Sequence, residues 1–145
     1  MKLSRILIYT LVVFGPVVTY GQGTPYFTEK GVAVGGYDVV AYFTQQAAVK
    51  GSSNFSFSWD EVTWHFSSSE NLNLFKEHPQ RYAPQFGGWC AYGVSEIHKS
   101  PTQPEAFTIV NEKLYLNYNQ KVLKLWRSDT TRYIRQANAY WPALK

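Results

Sequence analysis

Phe55-Ser56-Phe57-Ser58-Trp59-Asp60-Glu61-Val62-Thr63-Trp64-His65-Phe66 is the stretch that decides the fold class. Large apolar side chains alternate with small or polar ones on both sides of Asp60-Glu61, and a period of two marks a half-buried strand. With Asp60-Glu61 as a two-residue turn, Trp59 opposes Val62, Phe57 opposes Trp64 and Phe55 opposes Phe66. All six then share one face of an antiparallel pair, where cross-strand contacts stabilise it. The turn lacks the glycine that such loops favour, but the register gathers every large residue on one side. His65 falls on the opposite face beside Ser56, as a solvated strand residue.

Towards the C-terminus, Ser67 and Glu70 form a Ser-x-x-Glu capping box, which predicts a helix beginning at once. Leu72 and Phe75 share one face of it, His78 ends it where a cation suits the helix dipole, and Pro79 stops or redirects the chain. Phe86 to Val94 reads as a glycine-interrupted buried strand. Phe107 to Val110 and Lys113 to Leu116 form a second hairpin around Asn111-Glu112. Two helices close the chain, Lys121 to Arg127 and Asp129 to Tyr140, with Asp129 as a cap and Pro142 as a boundary. Strands and helices without regular alternation predict an α+β domain, a small antiparallel sheet with helices packed on it. Phe57, Trp64 and Phe75 should be buried together.

Towards the N-terminus, Lys2 and Arg5 precede an apolar run from Ile6 to Tyr20, followed by small residues. That order is the layout of a secretory signal peptide over residues 1–21, cut near Gln22. The run falls short of the ~20 residues a membrane-spanning helix needs, and Pro16 weakens it further. The expectation is an exported protein, periplasmic or secreted, with no stable membrane span after cleavage. Residues 22–30 read as a loose lead-in and residues 31–145 as the domain. Losing Lys2 and Arg5 lowers the formal charge from +4 to +2. The remaining local concentration, Lys121, Lys124, Arg127, Arg132 and Arg135, reads as solvated helix faces, too sparse for a nucleic-acid footprint.

The chain has a single cysteine, Cys90, so no intramolecular disulfide can form and stability must come from packing. There is no hydrolase elbow, phosphate loop, dinucleotide fingerprint or His-Glu-x-x-His helix, and no catalytic residue is assigned. Candidate chemistry rests on Cys90 with His65, His78 and His98. Cys90 is either a small core residue, as free cysteines often are, or a ligand. His98 follows it by eight residues across a loop and can return beside it, to hold copper or to activate a thiolate. His65 is a weaker ligand candidate. Asp38, between Tyr37 and an apolar run, is either a buried acceptor fixing its loop or a ligand.

Thr63-Trp64-His65-Phe66-Ser67-Ser68, with Asn71, Phe75, Pro79 and Tyr82 following, resembles the YHS-domain pattern. Gly36-Tyr37-Asp38-Val39-Val40-Ala41-Tyr42-Phe43, Gly87-Gly88-Trp89-Cys90-Ala91, Leu114-Tyr115-Leu116-Asn117 and Ala139-Tyr140-Trp141-Pro142 resemble an exported branch of that family. The resemblance runs from about Gly31 to Pro142, and it implies a YHS-like single domain with metal binding, often in heavy-metal handling. Where metal-binding members carry two cysteines, this chain has Ser67 and Asn71. Neither supplies the thiolate that selects copper(I) or zinc, so a zinc site assembled in that way is not expected. Three functions follow as alternatives: a binding protein of the cell envelope taking a transition metal, chiefly copper; a thiol-dependent enzyme or redox factor using Cys90; or an interaction module for an envelope protein.

Overall fold

The computed structural model describes residues 23–145; the expected signal peptide and its cut lie outside the described residues. The chain order is β1 (Thr28–Glu29), β2 (Val32–Ala33), α1 (Ala41–Thr44), β3 (Ser52–Trp59), β4 (Val62–Phe66), α2 (Ser69–Glu77), α3 (Pro79–Tyr82), α4 (Ala91–Ser95), β5 (Gln103–Val110), β6 (Lys113–Asn117), α5 (Gln120–Arg127) and α6 (Thr130–Leu144). Among the described residues this is an α+β domain of six helices, a four-stranded sheet and a two-stranded sheet.

The alternating stretch folds as its pattern dictates. Trp59 pairs with Val62, Phe57 with Trp64 and Ser56 with His65. Asp60 and Glu61 form the turn with φ of 52° and 65°, the left-handed pair that a tight hairpin requires even without glycine. The tyrosine hydroxyl of Tyr26 donates to Asp60 Oδ2 over 2.9 Å and steadies that turn. The expected opposition of Phe55 to Phe66 is corrected: Ser52 pairs with Phe66, and the register shifts between Ser52 and Ser56. A shift of this kind bends the strand. It brings Gly51 so close to β4 that a Cβ there would sit 2.6 Å from the His65 carbonyl carbon.

The sheet also differs from a single antiparallel one. β2 joins β4 in parallel, giving the order β1-β2-β4-β3, while β5 and β6 pair only with each other. The reason is visible in β6, whose residues Leu114 to Asn117 are all buried. Leu114 and Leu116 pack into one core with Trp64, Phe66 and Phe75, whereas Tyr115 packs into a second with Phe86, Val94, Trp126 and Tyr133. The hairpin therefore lies between two cores and cannot extend the edge of the first sheet. Phe57 stays half-buried at the rim of the first core, with the Lys76 ammonium 5.3 Å from its ring centre.

Four further expectations are corrected. Phe86 to Val94 is not a strand but a tight turn over Gln85–Gly88 followed by α4. Phe86, Gly87 and Gly88 take left-handed φ of 55°, 62° and 84°, which no strand accommodates. Helix α2 begins one residue later than the capping box suggests, with Ser68 accepting from the Asn71 backbone N–H, because the Ser67 hydroxyl is engaged elsewhere. Pro142 lies inside α6 rather than beyond it; so near the end, its missing donor forfeits only a terminal bond. Residues 24–29, read from the sequence as part of a lead-in, are docked. Phe27 is buried and donates its N–H to the Gly87 carbonyl, and Pro25 accepts from the Trp89 indole.

The five basic residues of the C-terminal helices are exposed. Arg127 also reaches Thr108 Oγ1 and the Phe107 carbonyl, both at 2.8 Å, tying α5 to β5. Among the described residues no helix is long and apolar enough to cross a membrane. Trp64 is fully enclosed by Tyr26, Trp59 and Phe75, with ring centres 5.2–5.8 Å away. Trp64→Ala should lower stability by about 3–5 kcal/mol in urea denaturation followed by circular dichroism; a loss below about 1 kcal/mol would contradict this inward face.

Candidate functional site

Asp38 is 0 % exposed and lies where the chain leaves β2 and enters α1. Its Oδ1 accepts the backbone N–H groups of Val40 (2.9 Å) and Ala41 (3.2 Å). Its Oδ2 accepts the Ser67 N–H (2.8 Å), the Ser67 hydroxyl (2.6 Å) and the Asn71 amide (2.7 Å). A buried carboxylate needs such a set of donors to offset its lost hydration. Ser67 and Asn71 are thus both spent on Asp38. Ser67 and Asn71 donate hydrogen bonds to a neighbour that accepts them, so their donor set does not fit a metal. Of the two roles open to Asp38 in the sequence, its hydrogen bonds are those of the buried acceptor that fixes its loop.

Cys90 has a different setting. It is 1 % exposed and caps α4. Its Sγ accepts the N–H groups of Gly93 (3.4 Å) and Tyr118 (3.3 Å), and its S–H points to Asn117 Oδ1 at 3.6 Å. Burial pushes the thiol pKa up, and the backbone donors from Gly93, Tyr118 and Tyr92 only partly oppose this. Asn117 is itself buried, and Oδ1 also takes the Tyr92 N–H at 3.1 Å, while Nδ2 has no partner among the described residues. An orphaned buried amide of this kind costs about 1–3 kcal/mol, so the fold retains this arrangement around the sulfur at some expense.

The loop after α4 returns His98 to the same place. The His98 N–H donates to the Gly93 carbonyl and the Cys90 N–H to the Ser100 carbonyl, both at 3.0 Å. The His98 ring lies across Gly93, where an added Cβ would be 3.3 Å from Nε2 and 3.4 Å from Cδ2. Its Nδ1 is 3.2 Å from the Glu96 carbonyl. A carbonyl can only accept, so Nδ1 carries a proton, and in the neutral ring the lone pair then lies on Nε2. Cys90 and His98 line one cavity of about 170 Å³, together with Tyr92, Ser100, Tyr118 and Val122.

His65 and His78 lie elsewhere. His65 lines another cavity with Glu29 and Lys50, whose ammonium donates to the Gly35 carbonyl and sits 4.7 Å from the Tyr37 ring centre. A fixed cation there repels a metal ion. His78 is exposed and joins α2 to α3. Among the described residues no group of three or more His, Cys, Asp and Glu side chains converges as a metal centre. Sequence reasoning missed Asn117 and Gly93; the local signal was an asparagine closing a hydrophobic strand and a glycine inside a helix.

Family models, curated proteins and solved structures were compared with the chain, and none matches it.

The thiol's enclosure has a direct consequence. Cys90 in the native protein should react with a disulfide reagent such as dithionitrobenzoate at least ~100-fold more slowly than in denaturant, because labelling requires a local opening. Equal rates in both would contradict the burial.

Proposed function

We propose that this chain is an exported, YHS-like binding protein without catalytic chemistry, which takes up copper(I) through Cys90 with His98 as the second donor. The observation that carries this reading is the Nδ1–H bond of His98 to the Glu96 carbonyl. It fixes the ring with a free Nε2 against Gly93, on the cavity that also holds the thiol. Metal-binding histidines are commonly oriented by just such a bond at the other ring nitrogen.

The donor set supports copper(I) over other ions. One thiolate and one imidazole suit a soft ion that accepts few ligands, whereas zinc takes four, and calcium and magnesium take oxygen. The two backbone N–H groups on Sγ favour the anionic sulfur that such an ion needs. The same burial works against the thiol enzyme: a thiol whose pKa is pushed up is a poor nucleophile at neutral pH. A second reading, an interaction module for an envelope protein, is favoured by Ile97. This β-branched residue is 58 % exposed and held beside His98 at φ 65°, a left-handed backbone that β-branched residues rarely adopt.

The test is a copper(I) titration in competition with a chromophoric chelator, using the native protein, Cys90→Ser and Gly93→Ala. Cys90→Ser should bind at least ~100-fold more weakly. Gly93→Ala, whose Cβ would crowd both the His98 carbonyl oxygen at 3.2 Å and the ring at 3.3 Å while leaving both ligands present, should lose about tenfold. Below the raised pKa the ion must displace the thiol proton. Apparent affinity should therefore climb by about tenfold per pH unit through the neutral range. Equal affinity in all three proteins would remove Cys90 from the site, and no binding in any would leave the interaction reading in its place.

A further inference from the structure

Two clefts on the described residues lie apart from the thiol cavity and adjoin each other. One, of about 330 Å³, is lined by Tyr26, Asp60, Gln85, Asn138, Trp141 and Lys145 among others. The second, of about 380 Å³, is lined by Val110, Asn111, Thr131, Ile134 and Asn138 among others. Each falls within the ~300–1,000 Å³ typical of small-molecule sites, unlike the cavity at Cys90. Asn138 belongs to both. Thr131, Ile134, Asn138, Trp141 and Lys145 recur at three- and four-residue spacing, so they form one stripe along α6. From Ile134 to Trp141 the stripe covers about 10 Å.

The lining chemistry narrows the ligand. The first cleft carries one carboxylate, Asp60, and one ammonium, Lys145, and the second adds the Arg135 guanidinium, whose N–H groups also donate to hydroxyls. Asp60 uses Oδ2 for the Tyr26 hydroxyl and keeps Oδ1 as a free acceptor. The side-chain amides of Gln85 and Asn138 make no hydrogen bond to another described residue, and each offers both donors and acceptors. The Tyr26 ring is packed against Trp59 and Trp64, so the aromatic surface comes from Trp141, half-buried against Phe86. Hydroxyl groups, which donate and accept at once, match a mixture of carboxylate and amides; the C–H faces of a sugar ring match the aromatic wall. An apolar ligand would leave the polar lining unpaired, at a cost.

The cleft is also held rigidly. A Cβ on Gly87 would meet the Pro25 carbonyl oxygen at 2.3 Å, so the N-terminal segment is seated directly on the Gln85–Gly88 turn. Phe86 and Asp60, on two of its walls, both have left-handed backbones. We infer that the trough along α6 binds a neutral, hydroxyl-rich chain, a short oligosaccharide, with Asp60, Gln85 and Asn138 taking its hydroxyls and Trp141 a ring face. This site is independent of the thiol site.

The test is a two-dimensional amide NMR titration of the protein with maltotriose, cellotriose and chitotriose in turn. At least one should give saturable shifts at the Trp141 indole and the Asn138 side-chain amide, with a dissociation constant of about 1 mM or tighter. Asn138 is exposed, so Asn138→Leu should fold normally and bind at least ~10-fold more weakly, since it removes a donor and an acceptor together. Cys90→Ser should bind as the native protein does, which separates this result from the copper reading. An absence of shifts with all three sugars, or identical titrations in Asn138→Leu, would overturn the inference; binding of an extended peptide at the same residues would do so as well.

Discussion

Burial of the Asp38 carboxylate is the constraint from which the rest of the domain follows. One acidic side chain with no solvent access takes donors from three separate parts of the chain: the start of α1, the end of β4 and the first turn of α2. Its backbone adds a fourth tie, since the Asp38 N–H donates to the Val49 carbonyl at 2.8 Å. The apolar residues beside it, Val39, Val40, Ala41 and Tyr42, are completely buried. Hydrophobic burial supplies the drive to collapse but is indifferent to register. The carboxylate is not, because its donors satisfy it only when α1, β4 and α2 meet at one point.

That junction also fixes what Ser67 and Asn71 can do. Ser67 and Asn71 work as donors to Asp38, and a thiol at either position would be a far weaker one. The fold thereby commits both side chains to structure, and the one thiol, Cys90, lies against Asn117 at the end of β6. Leu114 and Leu116 face the core that carries the Asp38 junction, Tyr115 faces the second core, and Asn117 ends the strand against Cys90. The strand thus joins the junction to the thiol cavity through packed side chains. The cavity's outer wall is a loop bearing exposed His98 and Ile97.

Much of the fold was legible in the residues, for identifiable reasons. The alternation around Asp60-Glu61 is a periodic signal and Asp129 a capping one, and the two hairpins and the two C-terminal helices formed where these pointed. What failed was set by contacts distant in sequence. Ser67 satisfies every local rule for a helix cap, but a carboxylate 29 residues away takes its hydroxyl and moves the cap to Ser68. Phe86 to Val94 has the composition of a strand, yet Pro25 seated on Gly87 demands a left-handed turn. At the candidate site, Cys90 and His98 could be named from residue type and loop spacing. The Tyr118 and Asn117 contacts to the sulfur could not, because β6 approaches it from 27 residues further along the chain.

The central claim is most directly tested by the stability of Asp38→Asn, measured by urea denaturation. An amide can present its oxygen to only one of the two donor groups, and its NH2 then faces the donors of the other. Those donors are left buried and unpaired. The account predicts a loss of at least ~3 kcal/mol, with the far-ultraviolet spectrum of the surviving folded protein little changed. A loss below about 1 kcal/mol would show that the junction of α1, β4 and α2 is held by apolar packing alone, and would contradict the account.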